Sequence, residues 1–192
     1  MRQWDERRDF LLEEAAFDQE FGVDVRPGFL AYAGSHPLFV AFLRPFLKGQ
    51  HMDAVIELLA LAAPLDADRL AVSIGARAWS LDDPIPPVIP GVGDLRQRVL
   101  VIEEVDGSTG RARGCSLAYP WSLEEGRVRW SDPLESTDVT GPLGQMLRVA
   151  VARRRELSAD TASIREQAER CARLGHLIAL AEPVNDRLLL NP

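Results

Sequence analysis

The stretch "SLDDPIPPVIPGVGD", residues 80–94, constrains this chain more than any other, because four of its fifteen residues are proline and two are glycine. Proline fixes its own φ and has no amide proton to donate, so neither a helix nor a sheet ladder runs through such a segment. The pattern before it must end at Trp79, and regular structure resumes with "RQRVLVIEEVDG", residues 96–107. The segment reads as a semi-rigid extended loop, exposed and shaping one edge of whatever sheet it joins.

Upstream, residues 5–21 are helical in pattern. Phe10, Phe17 and Phe21 share a face that Leu11, Leu12, Ala15 and Ala16 widen, and Gly22 stands where helices commonly stop. "VDVRPGFLAYAGSHP" is broken, and "LFVAFL" (Leu38 to Leu43) reads as a buried strand between prolines. Met52, Val55, Ile56, Leu59 and Ala63 repeat at helical spacing until Pro64. Leu70, Val72, Ile74, Ala76 and Ala78 then alternate as a strand does. If the two strands flanking this helix are parallel neighbours, they form a right-handed βαβ unit.

Downstream, Val99 to Ile102 are four apolar residues in a row, as in a central strand covered on both faces. "DGSTGR" and "SLEEG" are turn chemistry, so residues 97–130 read as an antiparallel meander of three strands. Leu143, Met146, Leu147, Ala150 and Val151 mark one amphipathic helix. Ile164, Ala168, Cys171, Gly175 and Ile178 mark a second, capped by Ser158 or Asp160 and ended before Pro183. The expectation is an α/β or α+β single domain: a mixed sheet of about five strands, a βαβ unit followed by the meander, with flanking N- and C-terminal helices. Residues 1–142 would form the α/β core with its N-terminal helix, and residues 143–192 a helical segment packed on it or extending from it.

Composition narrows the function classes. The chain of 192 residues is 46% hydrophobic and 27% charged, an ordinary soluble balance. No apolar run approaches the ~18 residues of a membrane span, and the polar start lacks a signal-peptide layout, so a cytoplasmic protein is expected. Net charge is −7, and residues 1–96 hold fifteen acids against nine bases, which argues against a phosphate-backbone binder. One lysine against twenty-one arginines fits a GC-rich bacterial genome. Cys115 and Cys171 are far apart, and His36, His51 and His176 form no HxH or HExxH pair, so neither a disulfide, a zinc site nor another cofactor is implied.

Three phrases repeat: "WSLDDP" from Trp79, "WSLEEG" from Trp121 and "WSDPLE" from Trp130. Serine and acidic side chains bond to nearby backbone in turns, so the repetition reads as one local grammar of strand ends. The chemical alternative gathers Asp82, Asp83, Asp94, Glu103 and Glu104 around a divalent cation for hydrolysis. The "PGVGD" and "EEVD" pieces resemble the PD-(D/E)xK nuclease pattern in their acids, but Asp106 stands where that pattern needs lysine. There is no GxGxxG, no GxxxxGK[ST], and Ser116 lacks a GxSxG elbow. With no catalytic constellation, the sequence points to a non-enzymatic interaction or accessory protein that self-associates or assembles with a protein partner. Phe17, Phe21, Arg77, Trp79, Trp121 and Trp130 are the candidate interface residues, since Arg and Trp are enriched in interfaces. A third class, a small-molecule binding module, would need an apolar pocket beside Trp79, Trp121 or Tyr119.

Overall fold

A computed structural model describes residues 2–190 except 48, 81, 83, 85–87, 90–92, 138–140 and 158. It is a mixed α/β architecture. In chain order the elements are α1 (Arg2–Glu20), β1 (Gly28–Ala33), β2 (His36–Phe42), α2 (His51–Ala62) and β3 (Arg69–Ala78). Then come β4 (Val88–Ile89), β5 (Gly93–Asp94), β6 (Gln97–Asp106), β7 (Arg113–Glu124), β8 (Arg127–Trp130) and β9 (Leu134–Ser136). The C-terminal part holds α3 (Pro142–Arg153), a 3-10 turn (Arg154–Leu157), α4 (Thr161–Arg173), β10 (Leu177–Leu180) and α5 (Glu182–Leu190).

The main sheet has eight strands in the order β10-β2-β1-β3-β6-β7-β8, with β9 also on β7. That corrects the expected five-stranded sheet. The difference lies in strands whose sequences look broken. β1 falls in "PGFLAYAG", where Gly34 at φ +58° turns the chain into β2 and pairs Ala33 with His36. Glycine takes this left-handed conformation without the Cβ clash that other residues meet. The β1–β2 ladder is sealed by Phe29 stacked on Phe39 at 5.6 Å, both fully buried. β1 therefore stands between β2 and β3, and the strands flanking α2 are not neighbours as the simple βαβ reading supposed.

β10 replaces the end of the helix expected to run to Pro183. Gly175 adopts φ +99°, its N–H donates to the Ala172 carbonyl, and the His176 N–H donates to the Cys171 carbonyl. These are the two hydrogen bonds of a Schellman stop, which satisfies the last carbonyls of α4. The chain leaves in extended form and pairs antiparallel with β2, Ile178 opposite Ala41. Among the described residues of the proline-rich segment, Val88–Ile89 and Gly93–Asp94 pair in a separate two-stranded sheet, and much of the expected loop lies outside the described residues. α3 and the Asp160 cap of α4 follow the sequence pattern, the Asp160 side chain accepting from the Ser163 N–H.

Two compact units can be described. The first comprises Met1–Arg26, Ser73–Ile102 and Leu117–Glu135, and the second Pro27–Val72, Glu103–Ser116 and Ser136–Pro192. The core of the first holds Leu11, Ala15, Val99, Leu100, Ile102, Leu117 and Trp121. That of the second is built on α2, whose Ala54, Val55, Leu58, Leu61 and Ala62 are at most 1% exposed. Each such leucine contributes roughly 1.5–3 kcal/mol by leaving water. Contacts from β1, α3 and α4 make this buried face wider than the expected stripe, and Ile56 falls outside it, 51% exposed.

Candidate functional site

The candidate interface residues belong to the first unit, and they divide into two kinds. At the end of α1, Leu11, Ala15 and Asp18 face inward, which leaves Phe17 and Phe21 on another side, 55% and 71% exposed. Four residues apart on a helix, they are neighbours, and their ring centroids lie 4.5 Å apart. The end of α1 is tightly fixed. Gly22 at φ +74° lets its N–H reach the Gln19 carbonyl and the Val23 N–H reach the Asp18 carbonyl. The Gln19 side chain donates to the Val23 carbonyl at 2.7 Å. The buried Asp18 carboxylate accepts from both the Arg26 N–H and its guanidinium at 2.9 Å. An ordered turn thus presents Phe17 and Phe21 as a contiguous ring pair, and Val23 just beyond it is 51% exposed.

Glu20 ties this surface to β8. It accepts from Arg127 Nη1 at 2.9 Å and from the Val128 N–H at 3.0 Å. The Val128 hydrogen bond and the Arg127 guanidinium hold its carboxyl below the usual range. β8 ends the strand order, so Glu20 occupies a backbone donor on an edge strand. Occupied edge donors blunt strand-to-strand aggregation.

Arg77 and Trp79 come together with Asp94, a member of the carboxylate alternative, and with Arg96, which the sequence did not single out. Arg96 forks onto Asp94, Nε at 2.9 Å from Oδ1, and lies 5.5 Å over the Trp79 ring. Arg77 Nη1 donates to the Arg96 carbonyl at 3.1 Å. Arg96 holds the Asp94 carboxyl far below the usual carboxylate range, through its side chain first and then its backbone N–H. Arg77 is therefore engaged with loop backbone, while Trp79 keeps 38% of its surface exposed. Trp121 is 5% exposed, with Arg98 5.0 Å over its ring, and it faces Trp130 across the β7–β8 ladder. Trp130 lies edge-on to both Trp121 and Tyr119 at 6.3 Å. These two tryptophans pack the unit, and of the six candidate interface residues the phenylalanines and part of Trp79 contribute open apolar surface.

Asp82 is exposed, and its N–H donates to Ser80 Oγ at 3.2 Å, the turn chemistry read from the WS phrase. Asp83 lies outside the described residues. Glu103 and Glu104 are buried on β6, 9% and 6% exposed. Glu103 Oε1 accepts from Ser116 Oγ at 3.1 Å, Oε2 has no hydrogen-bond partner among the described residues, and burial pushes its carboxyl up. Among the described residues no three of His, Cys, Asp and Glu lie close enough to hold a metal ion.

The second unit contains a polar cluster that sequence reading missed. Arg44 grips Glu57 through Nε at 2.7 Å and Nη2 at 2.9 Å. His176, its side chain fully buried, accepts the Arg44 N–H on Nδ1 at 3.1 Å. Its proton therefore resides on Nε2, which donates to Glu57 Oε2 at 2.7 Å. With both ring nitrogens engaged, His176 has no lone pair free to act as a base or metal ligand. Cys171 beside it is fully buried, Sγ 3.4 Å from the Glu57 carbonyl oxygen, and burial pushes its thiol up. Such a thiol is a small hydrophobe rather than a nucleophile. No family model matches the sequence, and neither the curated proteins nor the solved structures yield a match.

Proposed function

We propose that this chain is a non-catalytic interaction protein that self-associates through the C-terminal surface of α1. The observation that carries the reading is the Phe17–Phe21 pair, two large exposed rings on a turn held rigid by hydrogen bonds. Exposed aromatic side chains on ordered backbone lose little entropy on binding, which makes them good anchors. The rim supports a second copy as the partner. Glu14 (36% exposed) and Arg26 (41%) stand near the helix end, and the Arg127 side chain on β8 is 75% exposed. A two-fold contact requires one patch to complement itself, and an apolar centre with both charge signs around it can do so.

The double variant Phe17→Asp/Phe21→Asp tests this by sedimentation velocity. Both positions are exposed, so the variant should unfold within a few degrees of wild type. The expected result is a wild-type multimer and a variant monomer at the same concentration. Identical sedimentation of the two proteins would contradict the proposal.

A further inference from the structure

The second unit carries a cavity of about 330 Å³ lined by Arg111, Ala112, Arg113, Gly114, Cys115, Thr137 and Arg148. Three of its seven lining residues are arginines, in a chain whose net charge is −7. No acidic residue lines it among the described residues. Arg111 and Arg113 flank the start of β7, are exposed, and form no hydrogen bond or ion pair with any described residue. Arg148 comes from α3 and is half-buried, with its Nε out of contact with solvent. Thr137 adds a hydroxyl at the rim.

Like charges placed together repel, and nothing in the packing of this unit requires two uncommitted guanidinium groups at one cavity. A multiply charged anion turns that repulsion into attraction, because each guanidinium offers donors in a fork that matches phosphate oxygens. A single carboxylate would satisfy one fork and leave the others facing each other. We propose that this cavity binds a phosphoryl dianion, with Arg111 and Arg113 as its principal ligands and Thr137 as a further donor.

Cys115 supplies an internal reporter, since it lines the same cavity and is half-buried, whereas Cys171 is fully buried. The experiment measures the rate at which neutral N-ethylmaleimide labels Cys115 in the intact chain, at constant ionic strength. Inorganic phosphate at ten times its dissociation constant should slow labelling about tenfold, as simple occupancy requires. Acetate should have no effect, and Arg111→Gln/Arg113→Gln should remove the protection without changing the thermal unfolding midpoint. Glycerol phosphate distinguishes the source of the group: protection at lower concentration than inorganic phosphate assigns an esterified ligand, and the reverse assigns free phosphate. Equal protection by acetate, no protection by either phosphate, or protection that survives in the double variant would each overturn the proposal. If Cys115 does not label, the ³¹P line width of inorganic phosphate decides: broadening by wild type that the variant loses supports the site, and no broadening contradicts it.

Discussion

At Glu57 one carboxylate receives two nitrogens of Arg44 and the Nε2–H of His176, joining the end of β2, α2 and the turn that follows α4. Arg44 first, then His176, holds the carboxyl at about 2, against an ordinary value of 4.5. A lowered carboxylate pKa contributes stability that is present above 4.5 and lost as pH falls through about 2. Glu57→Gln removes the charge and leaves a part-buried guanidinium facing an amide. It should cost about 2–4 kcal/mol at neutral pH, read as a lower urea midpoint. The gap between wild type and variant should narrow as pH falls from 4.5 toward about 2. A constant gap over that range would show that packing rather than charge makes the difference. None of this was legible in the sequence, because residues 44, 57 and 176 carry no local motif. Their meeting depends on β10 pairing with β2.

Among the elements, the β7–β8 hairpin shows what the repeated phrases encode. Its turn residues Glu125 and Gly126 both have positive φ, +51° and +80°. Two such residues between Glu124 and Arg127 make the turn that suits strand twist, in which Asn-Gly is favoured and glutamate is strained. Glu125→Asn should therefore raise stability by roughly 0.5–1 kcal/mol, measured as a higher melting temperature. An unchanged or lower melting temperature would mean that the Glu125 side chain stabilises the turn in some other way. The meander, α1, α2, α3 and the start of α4 were legible because each carries a sustained period of 2 or 3.6 residues. β1 and β10 were not: β1 is six residues between a proline and a glycine, and β10 is four residues directly after a helix. In such short runs the pairing partner decides the conformation, and the local pattern does not. The WS phrases also prove less uniform than their spelling. Trp130 ends β8, Trp79 lies just past β3, and Trp121 sits inside β7.

For the molecule as a whole, no helix is long and apolar enough to cross a membrane among the described residues. The charged and aromatic residues that interaction chemistry needs are present, but the fold uses several of them internally. Trp121 and Trp130 pack against each other, Arg77 holds loop backbone, and His176 holds Glu57. The Phe17–Phe21 surface in one unit and the arginine-lined cavity in the other are, by contrast, open. Exposure is a property of the folded chain, so the sequence could nominate aromatic residues but could not separate Phe17 from Trp121. Native mass spectrometry of the purified protein, with and without EDTA, separates metal-independent assembly from a metal-bound monomer. A multimer of the 21.3 kDa chain, its mass unchanged by chelation, is the expected result. A monomer carrying a divalent ion that EDTA removes would contradict it, and would direct attention back to Asp82, Asp83, Glu103 and Glu104.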